Sequence, residues 1–346
     1  MSGITWKAER KGGTTVAARL VVAEVRSAGD MARVIRELGV ANRAGVQAGP
    51  EMPGAPEPTF LVKPAWFSPH RANFTGAREL DLVLGALPSG RRIVVEGHSG
   101  GRNYGGREIT PDNADENREW IREQDRLFLE RTGIARVLER HGAEYLNVTE
   151  EVWAGRVAAA EEVRDAVERA FARGTQETPV QDETLFGVVP RRLFELRGSV
   201  LVSLAKLKTG SWSLKNLFGL IPDPMRLRWH GERGELLGRS VTDIASIYRA
   251  LFPVVGLVEG VYETAVYREG GRHRIVWGEY DVVEGLGLVL ASWDLVTLDS
   301  CCAELFGEDA RGRSFLRIGE GVFGEAARVP PELEGALSRW RERLLL

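Results

Sequence analysis

Short apolar runs alternate along the chain with longer stretches in which apolar residues return every three or four positions. The runs at 17–25, 60–63, 92–96, 145–148, 199–205, 254–259 and 286–291 predict buried strands. The longer stretches predict helices over 30–38, 77–87, 160–172, 213–218, 241–251 and 295–306, and an amphipathic helix over 330–346. Ser27 or Asp30 can cap the first helix, since each offers an oxygen to unpaired amides. A highly charged stretch, 112–141, keeps Trp120, Leu127, Phe128, Ile134 and Leu138 at helical spacing and predicts a solvated helical pair. Prolines and glycines over 49–58 predict a loop. Strands separated by helices imply an α/β fold, a mostly parallel sheet with helices on both faces. Ligands in such folds gather where strands end at their carboxyl side, so the active cleft is expected there. One α/β domain over 17–308 is expected, flanked by extensions over 1–16 and 309–346.

Composition narrows the function classes. Of 346 residues, 43% are hydrophobic and 27% charged, ordinary values for a globular protein. No run approaches the roughly 18 consecutive apolar residues of a membrane span, and residues 1–7 lack the apolar core of a secretion signal. A cytoplasmic protein with no membrane partner is the expectation. The net charge of −3, with both signs interspersed, argues against nucleic acid, whose binding depends on a basic face. Self-association stays open. Cys301 and Cys302 are adjacent, and no Cys-x-x-Cys spacing occurs. Neighbouring helix residues point about 100° apart, so the pair suits two small buried residues and no intrinsic iron–sulfur cluster is expected.

The densest chemistry lies at 206–219, Lys-Leu-Lys-Thr-Gly-Ser-Trp-Ser-Leu-Lys-Asn-Leu-Phe-Gly. A strand ending near Ala205 would deliver Lys206, Lys208 and Thr209 to the ligand edge, with Lys215 and Asn216 following. Ser211 or Ser213 would cap the next helix, whose free amides favour an anion. Ammonium groups, hydroxyls and a helix terminus together suit a carboxylate or phosphate. The glycine-rich loop 97–106, with His98 and Arg102, is a second anion candidate, although it matches neither Gly-x-Gly-x-x-Gly nor a P-loop. Glu96, Glu259 and Asp294 each stand at a strand end, and Asp299 follows five residues after Asp294. Asp294 suits a helix cap and Asp299 a solvent face. If Asp294, Asp299 and Glu259 converge instead, such oxygens suit a divalent cation, magnesium or manganese. No His-x-x-x-His pair or Gly-x-Ser-x-Gly elbow is present. Turns are expected at 268–274 and 311–313.

The lysine segment resembles the signature of the domain-of-unknown-function family numbered 362, a Lys-x-Lys-Thr-His run followed by Leu-Lys-Asn-Leu-Phe-Gly. Gly210 stands where that signature has histidine. The similarity extends over about 17–308. Val62-Lys63-Pro64 resembles the family's early Lys-Pro strand end, Thr75 its following threonine, and Val95-Glu96-Gly97 its acidic strand end. His230 sits where an aromatic–His pair is frequent, and 291–299 is similar to a Ser-x-Asp-x-Val-x-x-Asp element. Val258-Glu259-Gly260 replaces an Ile-Asp-Gly strand end, and the Glu-Gly-Asn-Gly-Pro that often follows is missing. The ferredoxin-like cysteines of many members are absent from this sequence. The resemblance implies fold and site location, with redox or cofactor chemistry in some members.

The residues together predict an enzyme acting on a small anionic metabolite. Lys206, Lys208, Glu96 and Asp294 are its candidate catalytic groups. Lys63, Thr209, Ser211, Lys215, Asn216, His98, Arg102 and His230 are its candidate substrate contacts. Proton abstraction beside a carboxylate, as in an isomerase or lyase, fits these residue types better than hydrolysis. A ligand or cofactor carrier that partners redox proteins is the alternative expectation.

Overall fold

A computed structural model of the chain describes residues 4–7, 19–44, 57–173, 179–325 and 331–345. Most of the loop expected over 49–58 and of the extension expected over 1–16 lies outside these residues. The strands, in chain order, are β1 (Ile4–Lys7), β2 (Arg19–Glu24), β3 (Thr59–Pro64), β4 (Arg91–Glu96), β5 (Glu144–Asn147), β6 (Val200–Lys206) and β7 (Val254–Gly260). Then follow β8 (Glu263–Tyr267), β9 (His273–Ile275), β10 (Gly278–Glu284) and β11 (Leu288–Ser292). Eight of them form one sheet in the order β1-β2-β11-β7-β6-β3-β4-β5. From β7 to β5 every pairing is parallel. β11 and β1 run opposite to the other six strands, so β2 pairs antiparallel on both sides.

The strand side chains explain why the sheet is covered on both sides. Successive residues point to opposite faces, so Leu61, Ile93 and Val95 enter one apolar core while Phe60, Val62 and Val94 enter the other. The first core receives Val163, Val167 and Phe171 from helix Ala160–Arg173 and Val241, Ile244 and Ile247 from helix Leu237–Leu251. The second receives Met31, Val34 and Ile35 from helix Ala28–Glu37 and Leu80, Val83 and Leu84 from helix Ala77–Ala86. Every residue of β6 and β7 is buried, as expected for central strands of a parallel sheet. The mostly parallel α/β fold expected from the pattern is therefore the fold observed.

Several boundaries shift. The helix expected over 213–218 is one turn, Ser213–Asn216, continued by a tighter turn over Leu217–Leu220. The charged stretch forms two helices, Arg118–Arg131 and Ile134–Arg140, and buries Ile121, Phe128, Ile134 and Leu138. Cys301 and Cys302 are free and buried within helix Leu295–Leu305. A three-stranded antiparallel sheet, β8-β10-β9, stands apart from the main sheet; the turn expected at 268–274 joins its strands β8 and β9, but the sheet itself has no counterpart in the sequence reading. Among the described residues, no helix is long and apolar enough to cross a membrane.

Candidate functional site

Parallel register sets the foundation of the site. Lys63 on β3 lies opposite Ser203 on β6, and Lys206 at the end of β6 lies opposite Glu259 on β7. With Glu96 closing β4, charged side chains from adjacent strands reach the carboxyl edge of the sheet together. Above this edge opens a cleft of about 630 Å³, a size ordinary for small-molecule sites. The sequence contains six lysines, and four of them, Lys63, Lys206, Lys208 and Lys215, line the cleft.

Two of these lysines are neutralised by buried partners. Lys63 Nζ donates to Glu96 Oε2 at 2.8 Å, to the Pro64 carbonyl at 2.7 Å and to Asn216 Oδ1 at 3.2 Å. Burial pulls its ammonium below the usual lysine range even with Glu96 opposing. Asn216 also donates to the Lys63 carbonyl at 2.8 Å, locking β3 to the short helix. Gly219 passes so close that a Cβ there would stand 2.6 Å from Lys63 Nζ and 2.9 Å from Glu96 Oε1. That contact gives a physical reason for glycine at the end of Leu217-Phe218-Gly219.

Lys206 Nζ lies 2.9 Å from Glu79 Oε1 and 3.2 Å from Glu259 Oε2. Burial opposes its charge, but Glu259 and Glu79 outweigh burial and hold the ammonium above its usual range. Burial pushes the Glu259 carboxyl up to about 8, with Lys206 opposing and Glu79 reinforcing. One ammonium between two buried carboxyls balances charge best when one carboxyl keeps its proton.

The other two lysines are different. Lys208 is half-buried, and among the described residues its Nζ donates to the Asn73 carbonyl at 3.3 Å and makes no ion pair. Burial lowers its pKa to about 7, with Lys215 and Lys206 adding repulsion. Lys215 is half-buried, makes no ion pair among the described residues, and is lowered to about 8 by burial and by Arg313. Arg226, buried at the cleft wall, donates to the Ile221 carbonyl at 2.9 Å and meets no carboxylate within ion-pair distance among the described residues. Asp223 adds one carboxylate, which accepts the Gly100 amide at 2.5 Å. Positive charge thus exceeds negative charge along the cleft. A bound anion would relieve that excess, and Lys208 can exist as a free amine near neutral pH.

The sequence candidates divide cleanly by position. Lys63, Glu96, Lys206, Lys208, Thr209 and Ser211 line the cleft, joined by Lys215, Asn216 and His230. Asp294 does not. It caps helix Leu295–Leu305, accepting the Thr297 amide at 2.8 Å. Asp299 is fully buried and accepts from the Ser213 amide at 2.9 Å, the Ser213 hydroxyl at 2.5 Å and the Leu214 amide at 2.9 Å. It neither faces solvent nor stands beside Asp294 as a ligand, because it fastens the start of the lysine helix. The helix amides expected to meet an anion, capped by Ser211 or Ser213, are held by Asp299 instead. Glu259 is committed to Lys206. Among the described residues, no group of three or more histidine, cysteine, aspartate or glutamate side chains is arranged to hold a metal ion.

The glycine-rich loop also departs from expectation. Arg102 is buried and pairs with Asp125 at 2.6 Å, while donating to the Trp66 carbonyl at 3.1 Å. His98 is buried against Glu150, 2.7 Å away. Both side chains tie the loop to its neighbours and leave no charge to offer a ligand. Sequence reading overlooked Arg226, the aromatic walls Trp66, Phe67, Trp212, Tyr267 and Trp277, and Arg313, which reaches the cleft from the turn after Ala310–Gly312.

Comparison with known families agrees with the resemblance over part of the chain. The model of the family described as "Domain of unknown function (DUF362)" matches residues 156–304. Lys206, Lys208, Lys215 and His230 fall inside the match, whereas Lys63 and Glu96 fall outside it. No curated protein and no solved structure matches the chain.

Proposed function

We propose that the protein is an enzyme that binds a small carboxylate- or phosphate-bearing metabolite and moves a proton from the carbon beside a carboxylate. The observation that carries this reading is the pair of lysines that make no ion pair among the described residues, Lys208 and Lys215, facing one cleft with pKa values lowered to about 7 and 8. A base works best when its pKa lies near the working pH. In this reading the Lys208 amine takes the proton from the carbon beside the carboxylate and becomes an ammonium. The C–H electron pair moves onto the carboxylate oxygens, where the Lys215 ammonium and the Arg226 guanidinium stabilise it. Lys63–Glu96 and Lys206–Glu79–Glu259 are fixed supports, since their charges are already matched.

The test is exchange in D2O of a panel of small carboxylic acids, followed by NMR, beside calorimetric binding of acetate and inorganic phosphate. The reading expects millimolar or tighter anion binding, and deuterium entry beside the acidic group that disappears in Lys208→Ala. Binding without exchange by any panel member would favour a ligand carrier. Anion binding unaffected by both Lys208→Ala and Lys215→Met would remove the site assignment altogether.

A further inference from the structure

The cleft is much larger than the anion its lysines could hold, and its mouth is apolar. Phe67 is 47% exposed, Leu227 49% and Trp277 41%, and all three line the cleft. They account for three of the seven large hydrophobic residues exposed among the described residues. Val276 and Trp277 form the tip of the hairpin between β9 and β10. Such tips usually carry glycine, asparagine or aspartate, because they must turn tightly in water. An indole there is out of keeping with solubility, and it has a defined post: its ring lies 5.4 Å from Phe67, tilted by 50°.

The hairpin is also wired to the amine. Trp277 Nε1 donates to Tyr267 Oη at 2.6 Å, and Tyr267 Oη donates to Asn73 Oδ1 at 2.5 Å. The carbonyl of the same Asn73 accepts from Lys208 Nζ at 3.3 Å. Asn73 is fully buried, so the relay is rigid at its centre. A second tie joins the small sheet to the lysine segment, since the Tyr267 amide donates to Thr209 Oγ1 at 3.0 Å. One unit therefore carries both an aromatic face at the mouth and a cation deeper in.

We infer that the ligand is an acid with a planar ring: its carboxylate or phosphate reaches Lys208 and Lys215, and its ring packs on the Trp277–Phe67 surface. This rests on the anion reading above and adds the substrate class. Charge complementarity places the acidic end inward, and the volume leaves room for a ring beside it. Aromatic packing of this kind adds a modest increment to affinity, so the ring sets selectivity while the lysines provide the anchor.

Paired probes isolate the ring: benzoate against acetate, and phenyl phosphate against inorganic phosphate, titrated calorimetrically into the full chain. The expected result is that each ringed probe binds about tenfold more tightly than its partner. Trp277→Ala should bring the ratio of ringed to ringless affinity within each pair to about one, whatever it does to the ringless affinities themselves, and Trp277→Phe should retain most of the preference. Preference within only one pair identifies the acid as carboxylate or phosphate. Binding of all four probes with no ring preference, or a preference that survives Trp277→Ala, overturns the inference and spares the anion reading. Absence of binding by all four defeats both, and leaves the apolar mouth as a contact for another protein.

Discussion

Replacing Lys215 by methionine keeps the length of the side chain and removes its charge. In the folded protein this ammonium falls from an ordinary 10.5 to about 8. That fall caps its cost to folding at roughly 3 kcal/mol. Cleft water reaches the half-buried side chain, so about 1 to 2 kcal/mol is the expected figure after screening. The sign follows from proton counting. Below about pH 8 both folded and unfolded chains hold the proton, and the folded state carries the full penalty. Between about 8 and 10.5 the folded state has released a proton that the unfolded chain retains, so stability rises with pH. Lys215→Met should therefore be more stable than the parent by about 1 to 2 kcal/mol at pH 7 in urea unfolding. Toward pH 10 the difference should shrink. The same variant should bind benzoate about 5- to 30-fold more weakly at pH 7, the equivalent of that energy. Benzoate stays ionised throughout this range, so the parent's affinity should fall from about pH 7 through pH 8 as Lys208 and then Lys215 lose their protons. A variant that is less stable at pH 7, or that binds benzoate as the parent does, would refute the reasoning.

Other substitutions probe the scaffold. Gly219→Ala drives a methyl group into the Lys63–Glu96 pair, so it should cost about 1 to 3 kcal/mol by denaturant unfolding and weaken anion binding with it. Asp299→Ala strips three hydrogen bonds from the start of the lysine helix and should cost about 2 to 4 kcal/mol. Lys206→Met leaves Glu79 and Glu259 buried without a cation, and should destabilise by about 3 to 5 kcal/mol. Adding Glu259→Gln should recover part of that loss, which a thermal melt would register. If Lys208 is the base and Lys215 holds the anion, turnover should rise as pH passes about 7 and decline beyond about 8.

Strand and helix periodicity carried the fold, because both cores depend on which residues face them. The lysine segment was equally legible, since Lys206 ends a strand and everything after it must leave the sheet at the ligand edge. What stayed hidden depends on tertiary partners. Glu259 and Asp299 occupy strand-end and helix positions that would suit a ligand, and sequence cannot show that Lys206 and the Ser213–Leu214 amides already claim them. Arg102 and Arg226 are similar residues outside the strands, yet Asp125 neutralises the first and, among the described residues, no carboxylate pairs with the second. Trp277 was unreadable for another reason. It belongs to a small sheet whose docking over the cleft is fixed by Tyr267, Thr209 and Asn73, far apart along the chain.

The most direct test is a titration of the lysine side chains themselves, by carbon NMR of protein labelled at the ε position. With six lysines in the chain, the signals are few enough to assign by substitution. Lys208 and Lys215 should titrate near 7 and 8, and both midpoints should move upward when benzoate is added. Midpoints for both residues near the ordinary 10.5, unmoved by any anion, would contradict the account.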